Sequence, residues 1–286
     1  MALILAPWAL LTVAAMWGIS FVWMKDILDQ QDVYSFLVSR FALAVGVMLV
    51  IQPMVIRKLN RTILWKGGLT GCALGLGYIF QTLGLERTTP AITGFVTGLY
   101  VVFTPVIGAL ILRERLPIQV WGYVLLATVG LGILSISGWS IGTGELLVLI
   151  SALLFAIHIL LLSRWSKEFD AYALTLVQLA TCGIVAAIPA SVNGFIAPPD
   201  QQVWGVVLFT AIFATVFAFI IQTWSQARIS ATKVAVILTM EVVFAALFSV
   251  ALGAEPLTLR ILVGGSLVLI AMLAIVQPRF TATNSG

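Results

Sequence analysis

The sequence predicts an all-α integral membrane protein, with ten transmembrane helices arranged as two inverted five-helix repeats. Three observations support this fold class: the composition, an internal repeat and the distribution of basic residues between loops. Hydrophobic residues make up 61% of the 286 residues and charged residues 9%, whereas soluble domains have about 45–50% and about 25%. So few charges cannot cover the surface of a soluble domain of this length. We therefore expect the chain to be embedded in a bilayer.

The internal repeat spans half of the chain. Residues 79–126 align without a gap with residues 220–267, each residue matching the one 141 positions later. Because this offset is close to half of the chain length, we expect two repeats that together cover the protein, residues 1–137 and residues 138–286. Identical pairs at this offset include Gln81/Gln222, Thr82/Thr223, Arg87/Arg228, Val101/Val242 and Glu114/Glu255.

Ten apolar runs are long enough to be membrane spans, since a bilayer-crossing helix needs about 20 mostly apolar residues. The first run occupies the position of a signal peptide, but it lacks a basic leader and leads straight into another span, so we interpret it as the first helix. Pro90 and Pro117 begin the fourth and fifth runs, where a first-turn proline is tolerated. The runs cover residues 3–24, 34–56, 67–85, 90–112, 117–136, 145–163, 171–192, 203–224, 233–253 and 259–277.

The loops predict the orientation of the chain. With the N-terminus inside, eleven Lys and Arg residues lie in inner loops and the tail, against three in outer loops, and this bias predicts that both termini are cytoplasmic. Each half has an odd number of spans, so the second half enters from the opposite side and the repeats are inverted. Inverted repeats recur in secondary transporters, whose substrate site lies near the midplane between the halves.

Several short motifs accompany the repeat: Trp17-Gly18, Arg40-Phe41, Pro105 and a Glu-x-Leu element in each half, beginning at Glu114 and Glu255. With the ten spans, they resemble the EamA repeat of the drug/metabolite transporter superfamily over essentially the whole chain, and within it the YddG-type amino-acid exporters. The resemblance implies a secondary transporter of the bacterial inner membrane that exports amino acids, with aromatic ones as candidates, or related small metabolites.

The two halves are not expected to be functionally identical. Aligning Asp32 with Asp170 places Gln178 where the first half has Arg40. Three ionisable side chains are predicted within the spans, where a central Arg or Asp costs about 2.5–3.5 kcal/mol on insertion scales and is a functional candidate. They are Arg40, His158 and Glu241.

Glu241 is the candidate nearest the midplane, about eight residues or ~12 Å into the ninth span. Its repeat partner is Tyr100, and a carboxylate and a phenol near the pseudo-axis would bind an ammonium group and stack an apolar side chain. The alternative is that Glu241 is protonated or hydrogen-bonds to neighbouring helices. His158 is either a proton relay or a packed, hydrogen-bonded residue. Arg40 is predicted to be structural, either reaching the interface or pairing with a carboxylate.

Aromatic residues in the first, third and fourth spans are candidates to line one cavity. Trp17, Tyr78 and Tyr100 adjoin or lie near Gly18, Gly77 and Gly98, which we expect to leave room for a solute. The candidate substrate-binding residues are Trp17, Phe21, Tyr78, Phe95, Tyr100, His158 and Glu241. The candidate structural or gating residues are Arg40, Gly98, Pro105, Glu114 and Glu255.

Two other patterns are interpreted as structural. Gln81 and Gln222 lie near corresponding span ends, so we expect them to help terminate helices. Gly67, Gly71 and Gly75 recur every four residues, a spacing typical of close helix packing.

Two other function classes stay open as alternatives. An intramembrane metal-dependent enzyme would use Asp26, Asp29 and Asp32, whose spacing suits Mg²⁺ only if they are helical, but a second acidic cluster is missing from the sequence. A passive channel would need a ring of like charges. We expect no enzyme activity, cofactor, metal or nucleic-acid partner. The expected partners are a small-molecule substrate and the lipid bilayer, while proton coupling and oligomeric state stay open.

Overall fold

The computed structural model describes residues 2–88, 90–111, 116–135, 142–252 and 256–276. These residues form helices without any strand, and this all-helical architecture confirms the predicted fold class. Eight of the helices are long and apolar enough to cross a membrane, and α5 and α10 are shorter apolar helices. The helices are α1 (Ala2–Ile27), α2 (Val33–Ile51), α3 (Arg61–Arg87), α4 (Pro90–Gly98 and Tyr100–Ile111), α5 (Ile118–Ser135), α6 (Thr143–Trp165), α7 (Ala171–Asn193), α8 (Gln201–Ala211, Ile212–Phe217 and Ala218–Gln226), α9 (Ala231–Leu238 and Met240–Ala251) and α10 (Leu259–Val276).

The ends of the helices follow local chemistry. Asp32 and Asp170 occupy equivalent N-caps, and each carboxylate accepts a hydrogen bond from the backbone N–H three residues later, which stabilises the first turn of α2 and of α7. The predicted span 34–56 is too long, because α2 ends at Ile51 and a 3₁₀ turn, Pro53–Lys58, follows. Pro53 lacks an N–H and disfavours helical geometry at the preceding residue, so the helix stops there.

The packing of the helices repeats between the halves. Helix α3 packs against α6 and α7, and its equivalent α8 packs against α1 and α2. In the same way α4 packs against α6, and α9 against α1, while α2 pairs with α7 and α5 with α10. Exchanging the two halves therefore preserves the pattern of neighbours, as expected for inverted repeats.

Two hydrophobic clusters form the interior, and each combines both halves. One joins α1, α2 and α3 to α7 and α8, and the other joins α1, α4 and α5 to α6, α9 and α10. Within the described residues the apolar interior is thus built between the halves as well as within them. The boundary between residues 137 and 138 lies outside the described residues and stays a prediction.

Glycines bring the helices close together, and the predicted packing role of Gly67, Gly71 and Gly75 is confirmed. A Cβ at Gly71 would lie 2.6 Å from the backbone oxygen of Gln178 in α7, and the other two also face α7 closely. The expectation that Gly18, Gly77 and Gly98 leave room for a solute is wrong. Their free sides are filled by α9, by the Phe155 ring and by the Leu131 side chain, respectively.

Two ion pairs join the α2–α3 connection and the start of α3 to the α6–α7 connection. Lys58 donates to Asp170 over 2.8 Å, and Lys66 pairs with Glu168. Partial burial raises the pKa of Asp170, but the Lys58 hydrogen bond and the backbone N–H of Ala173 outweigh it, so this pKa is lowered from its ordinary value.

Candidate functional site

A cavity lies between the two halves. Its wall is formed by α1, α3 and α4, by the equivalent helices α6, α8 and α9, and by one side chain from α2. The cavity volume, counted as the space open to the centre of a water molecule, is about 50 Å³. One ordered water needs roughly 10–15 Å³ on the same measure, so the cavity has room for a few waters. The lining residues are Trp17, Ser20, Phe21, Met24, Arg40, Leu74, Tyr78, Gln81, Thr97, Tyr100, Phe155, His158, Ile159, Phe219, Gln222, Leu238 and Glu241.

Most of this wall consists of residues that the repeat relates to one another. The offset is 138 positions between α1 and α6, as for the caps Asp32 and Asp170, and 141 positions between the later helices. Each half thus contributes seven equivalent positions, six of which carry different residues, while Met24, Arg40 and Leu74 of the first half line the cavity without their equivalents. The lining pairs are Trp17/Phe155, Ser20/His158, Phe21/Ile159, Tyr78/Phe219, Gln81/Gln222, Thr97/Leu238 and Tyr100/Glu241.

Tyr100 and Glu241 join the two halves directly. The Tyr100 hydroxyl donates to Glu241 Oε1 over 3.2 Å, and both residues are buried, with 3% and 4% of their surfaces exposed. Each follows a break in its helix, at Leu99 in α4 and at Thr239 in α9. At both breaks an i to i−3 bond forms, from Val102 N–H to Leu99 O and from Val242 N–H to Thr239 O. The breaks therefore place the acid and the phenol on locally tightened turns.

Arg40 is held among neutral acceptors. Its Nε donates to Thr215 Oγ1 over 2.7 Å, and its Nη2 donates to the Ala214 carbonyl over 3.2 Å and to the Tyr78 hydroxyl over 3.4 Å. The guanidinium carbon lies 4.8 Å from the centre of the Tyr78 ring, a cation–π contact. Arg40 is 1% exposed, and it neither reaches the interface nor pairs with a carboxylate of the described residues, so both of the predicted arrangements are wrong.

A π-helical segment in α8, Ile212–Phe217, supplies two of the acceptors of Arg40, the Thr215 hydroxyl and the Ala214 carbonyl. The N–H of Ala218 bonds to Phe213 O, five residues back, as π geometry requires. The Ala214 carbonyl instead accepts from the side chains of Trp17, over 2.8 Å, and Arg40. The segment thereby ties α8 to α1 and α2 at the cavity wall.

His158 is hydrogen-bonded to the residue that replaces Arg40 in the second half. Its Nε2 lies 2.9 Å from Gln178 Oε1, while Gln178 Nε2 donates to the Leu174 carbonyl. In this arrangement the amide oxygen faces the imidazole, so Nε2 is the donor. Both side chains are buried, at 2% and 0% exposure, and the packed interpretation of His158 accounts for this contact.

An aromatic cluster fills one part of the wall. The Phe219 ring centre lies 5.5 Å from that of Trp17, 6.0 Å from His158 and 6.2 Å from Tyr78, whose ring also meets Phe155 at 5.4 Å. Phe155 and Phe219 were not among the sequence candidates. The repeat carries the signal that finds them, because they are the equivalents of Trp17 and Tyr78.

The cavity brings together most of the predicted substrate-binding residues, and whether they bind a substrate stays a prediction. Phe95 does not line it; this half-buried ring packs in the cluster around α4 and α9. Gln81 and Gln222 do line it, so their interpretation as helix terminators is wrong, because α3 continues to Arg87 and α8 to Gln226. The predicted substrate-binding residues in the wall are Trp17, Phe21, Tyr78, Tyr100, His158 and Glu241.

Three of the five predicted structural or gating residues lie among the described residues, and two do not. Gly98 ends the first segment of α4 and packs against Leu131, and Pro105 lies inside the second segment, where it donates no N–H to the ladder. Arg40 lies in the cavity wall. Glu114 and Glu255 lie outside the described residues.

The aspartates of the enzyme alternative do not share a helix. Helix α1 ends at Ile27, Asp29 follows in a turn, and Asp32 caps α2. Across the part of the chain that the structure describes, no three His, Cys, Asp or Glu side chains converge as a metal site.

Two inverted five-helix halves around a shared cavity define a multi-pass membrane transporter. Residues 4–136 and 142–277 each match the EamA-like transporter family, and the chain belongs to this family. An uncharacterized transporter of Archaeoglobus fulgidus is 35% identical over 271 residues, 94% of this chain and 85% of that protein. The uncharacterized transporter YyaM of Bacillus subtilis is 26% identical over 82% of this chain and 81% of its own length.

A solved crystal structure of another protein has the same fold. It superposes with a TM-score of 0.78 over 98% of this chain and 99% of the other, at 17% sequence identity. The family match and the transporter relatives indicate a transporter rather than an enzyme.

Proposed function

We propose that the protein is a secondary transporter that exports amino acids or related small metabolites by alternating access. The observation that carries this proposal is the Tyr100–Glu241 pair, because it places an acid from one half against a phenol from the other inside a shared cavity. A buried carboxylate is suited to an ammonium group, and the surrounding aromatic rings are suited to an apolar side chain. Aromatic amino acids are therefore candidate substrates, as in YddG-type exporters.

The cavity has to widen to take such a solute, since it holds only a few waters in this conformation. The breaks at Leu99 and Thr239 interrupt α4 and α9 at nearly equivalent positions, where i to i−3 bonds locally distort the regular helix. Rocking of one half against the other about these breaks, with Gly98 and Pro105 beside the first, would open the cavity to each side in turn. Residues 1–137 and 138–286 are the proposed moving halves.

The proposed location is the bacterial inner membrane, with both termini in the cytoplasm. This orientation is supported by the excess of Lys and Arg in the loops assigned to the inner side. In the structure, Lys58 and Lys66 of this side form the ion pairs with Asp170 and Glu168.

Uptake of labelled amino acids into proteoliposomes tests the proposal, with and without a pH gradient, for wild type and Glu241→Gln. Saturable uptake that unlabelled substrate competes is expected, and Glu241→Gln is expected to lower it at least tenfold, because the amide cannot offer an ammonium group a negative charge. Ser191→Ala, an exposed position at the end of α7, is the control and is expected to behave like wild type.

The pH gradient separates two mechanisms. Accumulation driven by the gradient and lost in Glu241→Gln would identify Glu241 as the coupling residue, whereas simple equilibration would identify a facilitator. Folded protein that takes up no amino acid contradicts the amino-acid proposal and directs the search to other metabolites.

A further inference from the structure

We infer that Arg40 binds a carboxylate group of the transported solute, so that the cavity selects organic carboxylates. This inference rests on the proposed function only in using the same cavity as the transport site. It specifies the chemistry further, because a carboxylate is required of the solute whether or not an amino group is present.

The first argument is that the positive charge is buried without a counter-charge. Arg40 is 1% exposed, and its acceptors are a hydroxyl, a carbonyl, a phenol and the Met24 thioether. Among the described residues, the salt bridges within 4.0 Å involve other groups. A guanidinium remains protonated in proteins, and burying an ion without its partner costs several kcal/mol. An anionic solute in the cavity would supply the missing charge.

The second argument is that part of the guanidinium is weakly occupied. Among the described residues, the hydrogen-bond contact of Nη1 is the sulfur of Met24 at 3.8 Å, and a thioether is a weak acceptor on a flexible side chain. Both Arg40 and Met24 line the cavity. A carboxylate that displaces the thioether gains charge-assisted hydrogen bonds from the planar guanidinium. The hydrogen bond from Arg40 Nε to Thr215 Oγ1, at 2.7 Å, would hold the guanidinium in place during this exchange.

The third argument is that the same cavity offers acceptors for the rest of an amino acid. Gln222 is 1% exposed and its Nε2 donates to Gln226, yet its Oε1 is buried without a partner among the described groups. Glu241 adds a carboxylate whose contact is the Tyr100 hydroxyl. A solute with both a carboxylate and an ammonium group finds a donor and acceptors in one cavity, whereas an amine alone leaves Arg40 uncompensated.

Binding to the purified full-length protein in detergent, measured by isothermal titration calorimetry, tests the inference with four probes. These are L-phenylalanine, 3-phenylpropionate, its neutral isostere 3-phenylpropionamide, and 2-phenylethylamine. Wild type is expected to bind 3-phenylpropionate about 10- to 100-fold more tightly than the amide, the effect of a charge-assisted hydrogen bond.

Variants at the same position identify the partner of the carboxylate. Arg40→Gln, which installs the residue type found at the repeat-equivalent Gln178, is expected to abolish the preference for acid over amide. Arg40→Lys is expected to keep a smaller preference, because it retains charge without the planar fork. Thr215→Val, which removes only a neutral partner of Arg40, is expected to keep most of it.

The outcomes separate this inference from the proposed function. Wild type that binds the amide as tightly as the acid overturns the inference, and this comparison needs no variant to fold. Folded Arg40→Gln that retains the wild-type preference overturns it as well. Binding of 3-phenylpropionate but not of phenylalanine would support Arg40 as the carboxylate site while contradicting amino-acid export.

Discussion

The two halves of the protein share their helix packing but differ in the polar groups they place in the cavity. Where the first half lines the cavity with Ser20, Arg40 and Tyr100, the second lines it with His158 and Glu241, and Gln178, the equivalent of Arg40, lies behind His158 outside the lining. Arg40 contacts the π segment of the other half, whereas Gln178 contacts His158 of its own half. The comparison teaches that the repeated apolar pattern determines the architecture, while the positions that have diverged determine which charges the cavity presents.

The largest expected effect on stability is at Gly71, where α3 contacts α7 closely. The second half has no glycine at the equivalent position. Gly71→Ala would place a Cβ 2.6 Å from the Gln178 carbonyl oxygen, whereas the repeat-equivalent residue is Ile212, the first residue of the π segment. Separating the helices to admit this methyl should lower the free energy of unfolding by about 1–3 kcal/mol. Thermal unfolding in detergent measures it.

Gly68→Ala is the matched control, because its Cβ would meet only Thr181 Oγ1 at 4.0 Å. Since alanine favours helix over glycine by about 1 kcal/mol, this variant should be as stable as wild type or more stable. Equal unfolding temperatures for the two variants would contradict the packing argument.

A smaller effect is expected from breaking the hydrogen bond between His158 and Gln178, the residue that replaces Arg40 in the second half. Gln178→Leu leaves the His158 N–H buried without its acceptor, at a cost of about 1–3 kcal/mol, toward the lower end if the imidazole reorients. The same unfolding measurement checks it. Thr181→Val, one turn along α7, removes only a bond to the Val177 carbonyl and should cost less; a loss as large as that of Gln178→Leu would argue against a specific role for the pair.

The smallest effect is expected at the two equivalent caps. Asp170→Asn keeps a capping oxygen but removes the ion pair with Lys58. The two side chains of this pair are 45% (Lys58) and 41% (Asp170) exposed. The loss of stability should therefore be below about 1 kcal/mol and should shrink as salt is added. Asp32→Asn, where the structure shows a cap bond to Ser35, should be nearly neutral.

The pH dependence of this contribution has a definite sign. Because the pKa of Asp170 is lowered in the folded state, its contribution to stability is present above the ordinary carboxyl pKa and is lost as the pH falls through the lowered value. The difference in stability between wild type and Asp170→Asn should therefore disappear in acid. A difference that persists there would mean that the ion pair is not its cause.

The sequence was sufficient for the ten helices and for several of the cavity residues. The apolar runs and the repeat predict the fold because both are properties of sequence alone, and Glu241 was located because a charge within an apolar run is conspicuous. The breaks at Leu99 and Thr239 and the π segment in α8 were missed. Neither break falls on a proline, although Gly98 precedes the first, and tertiary contacts rather than local propensity determine such sites.

The glycines show a different limit of sequence analysis. Gly18 and Gly77 were expected to leave space, but a glycine opens a surface that a neighbouring helix can fill as readily as a solute. Which of the two occurs depends on residues distant in sequence, such as Phe155 beside Gly77. The roles of Phe155 and Phe219, in contrast, could have been found by carrying Trp17 and Tyr78 through the repeat.

The hydrophobic clusters shared by both halves have a consequence for biogenesis. When the first half has been inserted during synthesis, the surfaces of α1, α2 and α3 that pack against α7 and α8 have no protein partner yet, and lipid or an insertase must cover them until the rest of the chain emerges. A fragment ending near residue 137 should consequently be short-lived in cells, and co-expression with residues 138–286 should rescue it. If the two halves descend from separate five-helix chains inserted in opposite orientations, each of those chains would have needed the other to cover the same apolar surfaces.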